Sequence, residues 1–220
     1  MLFRSEQVIT NSEATWAWAM ERCAPGVGSI HTAVHRTWAD AFTASTNEPA
    51  DIGADFSTFG FFRRGEVPPI PESPLGLPHT TERFVRPSKD YAWASVVDHM
   101  GCEQAVGIWS GHYRDVSYPL PRFMFSNFTL TDSAMHEGGP HSEMAAAAIR
   151  DSDARLGDIM RAVEDRGVFD RTAWVLVADH GMEESDRSVT GDWGVHLRDA
   201  GIPFRDEAYS FLYLGDTFPG

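Results

Sequence analysis

The spacing of apolar positions divides the chain into a loosely patterned first part and a regular second part. From Asn11 to about Phe42 apolar residues, rich in Ala and Trp, recur at helical spacing, with a break at Ala24-Pro25-Gly26-Val27-Gly28. Residues 43 to 90 hold no sustained period and read as an irregular loop or insertion. Within them the run from Val67 to Pro78 (Val-Pro-Pro-Ile-Pro-Glu-Ser-Pro-Leu-Gly-Leu-Pro) suits neither helix nor ladder, because proline lacks the N–H that both require. It reads as a surface connector in preference to a roof over a pocket. From Asp90 the order becomes clear. Tyr91 to Met100 predicts a helix closed by Gly101, Glu103 to Trp109 a strand, and Arg122 to Thr131 a second strand, aromatic and β-branched. A long helix follows from about Ser142 to Arg166, ended by Gly167. Its stripe is Ala145, Ile149, Leu156, Ile159 and Val163, with polar Ser152 in one expected place. Ala173 to Ala178 is a short continuous apolar run, the pattern of a strand buried on both faces. A short helix from Trp193 to Ala200, stopped by Gly201, leads to a last strand over Ala208 to Leu214. Strands alternating with helices predict an α/β domain with a largely parallel sheet.

Composition changes this picture at a few points. Hydrophobic residues at 42% and charged residues at 23% are ordinary for a globular protein. The chain has no apolar run long enough to span a membrane. Its first residues lack the apolar core of a secretory signal, so a cytoplasmic location is favoured. Cys23 and Cys102 lie far apart, which excludes a disulfide framework and a clustered thiolate zinc site and suits two free, partly buried thiols in a reducing compartment. The net charge of −14 repels nucleic acid and anionic membranes. It also opposes an anionic substrate, unless bound cations invert the local field.

Two expected strands end on an aspartate. Asp132 follows the strand through Leu130, with His136 four residues later; Asp179 follows the strand through Ala178, with His180 next to it. Ligands of an open α/β sheet bind beyond the carboxyl ends of its strands. A right-handed crossover through the long helix would bring both ends to one edge. Two carboxylates and two imidazoles converging there make a site for a divalent metal, zinc or manganese by ligand type. The glycines after His136 (Glu-Gly-Gly-Pro140) and after His180 suit sharp turns and close approach.

The segments Thr131-Asp-Ser-Ala-Met-His-Glu-Gly-Gly-Pro140 and Val177-Ala-Asp-His-Gly-Met182 resemble the alkaline phosphatase superfamily, in particular its type I phosphodiesterase/nucleotide pyrophosphatase branch. The resemblance is specific across residues 122 to 184 and weak elsewhere. It implies an alkaline-phosphatase-like α/β/α sandwich, with a mostly parallel central sheet and flanking helices, occupying residues 1 to 220 as one metallo-phosphoesterase domain. It further implies hydrolysis of phosphodiester or nucleotide pyrophosphate bonds in a small-molecule phosphoester by two divalent metal ions, zinc or manganese. Asp132 and His136 would hold one ion, and Asp179 and His180 the other. A phosphomonoesterase, phosphonate hydrolase or sulfatase of the same superfamily fits the motif too, as does a non-catalytic metal-binding or interaction module.

The chain departs from the family pattern in three ways. The family adds an aspartate ending an early strand, a Thr or Ser nucleophile opening a helix, and a histidine well after Asp-His-Gly. Residues 1 to 40 contain no such strand, and His196 sits on a helix read as preceding the last strand. The expectation is therefore a domain truncated at both ends, prone to self-association through an uncovered sheet edge. No nucleophile is identified; Thr80, Thr81 and Ser88 fall in a loop with nothing to single one out.

Other polar residues carry less. His31 and His35 share a helix face but lack the glutamate of a His-Glu-x-x-His site. Asp98-His99 is expected at a helix end in a dipole or surface role. His112 follows an expected strand end and could approach the site. His141 could touch substrate or cap the long helix, and Glu137, Glu183 and Glu184 could orient metal ligands or be solvated loop carboxylates. The seven Trp residues read as core or interface. There is no phosphate-cradling Gly-Lys-Ser loop, no Gly-x-Ser-x-Gly elbow and no dinucleotide fingerprint.

Overall fold

The computed structural model describes residues 26–186, 188–189, 191–207 and 211–214. The expected helical pattern over residues 11 to 25 lies outside them. The elements in chain order are α1 (Ile30–Thr37), β1 (Phe42–Thr46), β2 (Phe56–Ser57), α2 (Thr58–Arg63), α3 (Glu82–Val85), α4 (Lys89–Ser110), β3 (His112–Tyr113), β4 (Val116–Ser117), β5 (Pro121–Ser126), α5 (Leu130–Gly138), α6 (Glu143–Asp165), a 3-10 turn (Phe169–Arg171), α7 (Trp193–Asp199), β6 (Phe204–Glu207) and β7 (Phe211–Leu214). The strands β2, β1 and β5 form a parallel sheet in that order, flanked by helices. β3–β4 and β6–β7 are separate antiparallel hairpins. Among the described residues no helix is long and apolar enough to cross a membrane.

The central strand β1 arises where the sequence showed no period. Phe-Thr-Ala-Ser-Thr is mostly polar, yet Thr43, Ser45 and Thr46 are fully or almost fully buried. Their hydroxyls find partners inside: Thr43 Oγ1 donates to Asp55 Oδ2 at 3.2 Å, and Thr46 Oγ1 to Ser126 Oγ at 2.9 Å on the neighbouring strand. Burial of a polar group is tolerated once it is hydrogen-bonded. Residues 43 to 90 are thus only partly irregular, since they contain β1, β2, α2 and α3.

α4 corrects a second expectation. The helix does not stop at Gly101, and Glu103 to Trp109 is helix, not strand. The apolar run is long because α4 is buried on several sides, the usual reason for a helix without a clean polar face. Tyr91 and Ala94 pack with Leu130, Ala134 and Ala148; Cys102, Ala105 and Trp109 pack with Ile159, Ala162, Val163 and Val168. Gly101 is needed for contact instead of termination, because a Cβ there would overlap the side-chain amide of Asn47. That amide is anchored on α4 itself, donating to Val97 O at 2.8 Å.

α6 forms over nearly the expected span, capped by Ser142, whose hydroxyl accepts the Ala145 N–H. Its buried face is rotated from the predicted stripe: Ile149 is half exposed, while Asp151 and Arg155 point inward. The proline-rich loop is strapped to this face. Asp151 accepts from the Thr81 N–H (2.8 Å), the Thr81 hydroxyl (2.8 Å) and the Tyr91 hydroxyl (2.7 Å). Arg155 Nη2 donates to Thr80 Oγ1 at 3.2 Å, and His79 Nε2 lies 2.6 Å from Asp158.

The expected strand over 173–178 is not in the sheet. The segment forms no regular element and has no strand partner among the described residues, with Val175, Leu176 and Val177 exposed by 83%, 86% and 71%. Near the C-terminus, α7 and β7 occur where a helix and a last strand were expected, with β7 paired to β6; residues 208–210 lie outside the described residues.

Candidate metal centre

β5 ends at Ser126, and the chain passes through Asn127–Thr129 into α5 at the carboxyl edge of the sheet. Asp132 therefore sits in the first turn of a helix, not at a strand end. Spacing of four along that helix brings His136 onto the same face, and His136 Nε2 is 3.4 Å from Asp132 Oδ1. Asp98 of α4 fixes the start of α5. Its Oδ1 accepts from the Thr129 N–H at 2.8 Å and the Thr129 hydroxyl at 3.1 Å, and its Oδ2 accepts from the Leu130 N–H at 3.0 Å. Asp98 thus lies inside a helix, completely buried, and it caps a neighbouring helix instead of ending its own. Burial pushes its carboxyl up to about 6, against the opposing pull of the Thr129 and Leu130 hydrogen bonds.

The second pair lies in the irregular segment that follows residue 178. His180 Nε2 is 3.5 Å from Asp179 Oδ2, and its Nδ1 is 2.9 Å from Gly181 O. The His180 pKa is raised, first by the Gly181 carbonyl, then by Asp179, and further by Asp132. A hydrogen bond between His141 Nε2 and Glu183 Oε1 at 3.0 Å joins the flanks of the two distant motifs. They do not converge fully: among the described residues no three His, Cys, Asp or Glu side chains come together to hold an ion. The donors fit a divalent cation by chemistry, as two half-sites of one carboxylate and one imidazole each. All four side chains are at least half exposed. Among the described residues the ion-pair partners of Asp132 and Asp179 are these histidines, with no Lys or Arg paired to either acid.

The remaining expectations sort clearly. The Thr80, Thr81 and Ser88 hydroxyls are all engaged: Thr80 accepts from Arg155, Thr81 donates to Asp151, and Ser88 caps α4 while donating to Glu137. Glu137 thus ties α5 to α4. His112 sits on the β3–β4 hairpin at the amino end of β5, the opposite sheet edge from Asp132. His35 pairs with Asp55 at 3.1 Å, and His31 is buried against Phe123. Burial lowers the His31 pKa. His99 pairs with Glu103 at 3.5 Å, Cys102 is buried with its thiol pushed up to about 12, and His196 is on α7. Trp109 is core, whereas Trp93 and Trp193 are exposed. His141 meets Glu183 at 3.0 Å, a contact across the two motifs.

The model of the type I phosphodiesterase/nucleotide pyrophosphatase family matches residues 6–214. No solved structure is a significant match.

Proposed function

We propose that this chain, which belongs to the type I phosphodiesterase/nucleotide pyrophosphatase family of the alkaline phosphatase superfamily, hydrolyses a phosphodiester or nucleotide pyrophosphate bond of a small molecule with two divalent cations, zinc or manganese. Membership supports phosphoester hydrolysis in general; the cation site is read from the residues. Asp132 and His136 hold one ion, Asp179 and His180 the other. The observation that carries this reading is the pairing of both acids with histidine in a chain of net charge −14. Without a cation, these carboxylates would repel a phosphoester instead of binding it.

Divalent cations held by these residues would supply charge stabilisation for an in-line displacement at phosphorus. The chain's own contribution is to supply two anionic oxygens and two neutral imidazole nitrogens from a helix and a loop. The exposed loop, free of backbone pairing to the body, can bring Asp179 and His180 onto the helix pair. Ligation needs both imidazoles deprotonated, and the raised pKa of His180 means that protons compete for that half-site at higher pH than for an ordinary histidine. The engaged hydroxyls of Thr80, Thr81 and Ser88 favour a second reading, a metal-binding module that lacks its own nucleophile.

Metal uptake by wild type, Asp179→Ala and His136→Ala, followed by chelator-reversible hydrolysis of an aryl phosphodiester, tests both readings. Wild type is expected to bind zinc or manganese, and each variant to lose at least half of it. Uptake equal in all three would sink the assignment. Uptake without hydrolysis would favour the non-catalytic module.

A further inference from the structure

Between residues 173 and 185 the chain makes no backbone hydrogen bond to the rest of the described molecule. Over the same span one side-chain hydrogen bond reaches the body, that between His141 Nε2 and Glu183 Oε1. His141 follows the Gly139 turn (φ 90°) and precedes Ser142, the N-cap of α6. The same turn closes α5, so His141 is built on the unit that carries Asp132 and His136. Glu183 stands shortly after His180, and its Oε1 also accepts the Glu184 N–H at 2.9 Å. The carboxylate is thereby fixed against its own backbone while it faces the imidazole.

We propose that His141 and Glu183 form a latch that holds the Asp179–His180 segment against the α5–α6 turn, limiting how far the second half-site can stray from the first before any ion arrives. The inference rests on the two-cation reading above and makes both residues positioning groups, not ligands. An unpaired loop samples many conformations, and the ordering it must undergo on ligation weakens binding. One anchor close to His180 removes much of that freedom in advance. The pair is exposed, with side chains 70% and 81% accessible. Its effect is therefore modest, of the size an exposed ion pair supplies.

The test uses the full chain with His141→Ala, Glu183→Ala and the double variant. Zinc affinity is read by competition with a chromophoric chelator, and chymotryptic cleavage after Trp174 and Leu176 is timed in metal-free protein. Each single variant is expected to bind zinc roughly two- to fivefold more weakly. The double variant should bind no more weakly than either single, and all three should be cut faster than wild type. Unchanged affinity and unchanged cleavage overturn the latch, as do losses that simply multiply in the double variant. If wild type takes up no zinc, the two-cation reading falls separately. Cleavage then decides the latch alone: faster cutting supports it, and equal rates overturn it.

Discussion

Asp98 shows how one residue couples stability to the site. Its buried carboxylate accepts the first N–H groups of α5, so the helix carrying Asp132 and His136 begins where Asp98 puts it. Ionisation in that position is costly, and the folded-state value of about 6 stands above the unfolded value near 3.8. The folded state therefore holds the proton more tightly. The associated stability is fully present below about pH 4 and is lost as pH rises through about 6. By the conversion from pKa to free energy this amounts to about 3 kcal/mol, as an order of magnitude. Measured against Asp98→Asn, which cannot ionise, wild type should lose about that much unfolding free energy between pH 4 and pH 7. Parallel stability curves for the two proteins would refute the assignment.

At the scale of elements, the α4–α6 contact is organised by a polar seam instead of an apolar stripe alone. Asp151 holds the proline-rich loop through Thr81 and holds α4 through Tyr91. Burial and the bond to Asp151 both raise the pKa of the Tyr91 hydroxyl, which stays a proton donor across the physiological range. Asp151→Ala leaves three donors without their acceptor at a nearly buried position. A buried polar group left unpaired costs about 1–3 kcal/mol, so the loss for the cluster should reach about 2–4 kcal/mol. Urea denaturation should show a lower midpoint at an unchanged slope. A shift equivalent to less than about 0.5 kcal/mol, the scale of an ordinary surface substitution, would mean the seam is not stabilising.

For the whole molecule, the run from Trp174 to Val177 and the edge of β5, both without a strand partner among the described residues, present apolar and hydrogen-bonding surface. Such surface is a template for association. The net charge of −14 opposes contact between copies at low ionic strength. Salt screens that repulsion without weakening apolar burial. Sedimentation should therefore show association that rises with concentration and with added salt, and Leu176→Lys should suppress it. A monodisperse monomer under all conditions would rule the edge out as an adhesive surface.

The long helix α6, the strand β5, the α/β class and the two Asp–His pairs were all legible in the sequence. Each depends on local periods, caps and spacing: Ser142 caps α6, and a four-residue step puts Asp132 and His136 on one helix face. The polar strand β1 was not legible, because Thr43, Ser45 and Thr46 are buried by partners remote in sequence. Nor was the continuity of α4 through Gly101, where the glycine answers to Asn47 on another element. The capping of α5 by Asp98 and the inward turn of Asp151 and Arg155 were hidden for the same reason. Periodicity records which residues avoid water, but it cannot record which buried polar groups find each other. The pairing of Ala173–Ala178 likewise depended on the presence of a neighbouring strand, and a sequence pattern specifies the wish for one without supplying it. The sequence determined the local elements and the chemistry of the donors; tertiary structure alone decided their neighbours, because those contacts join residues far apart along the chain.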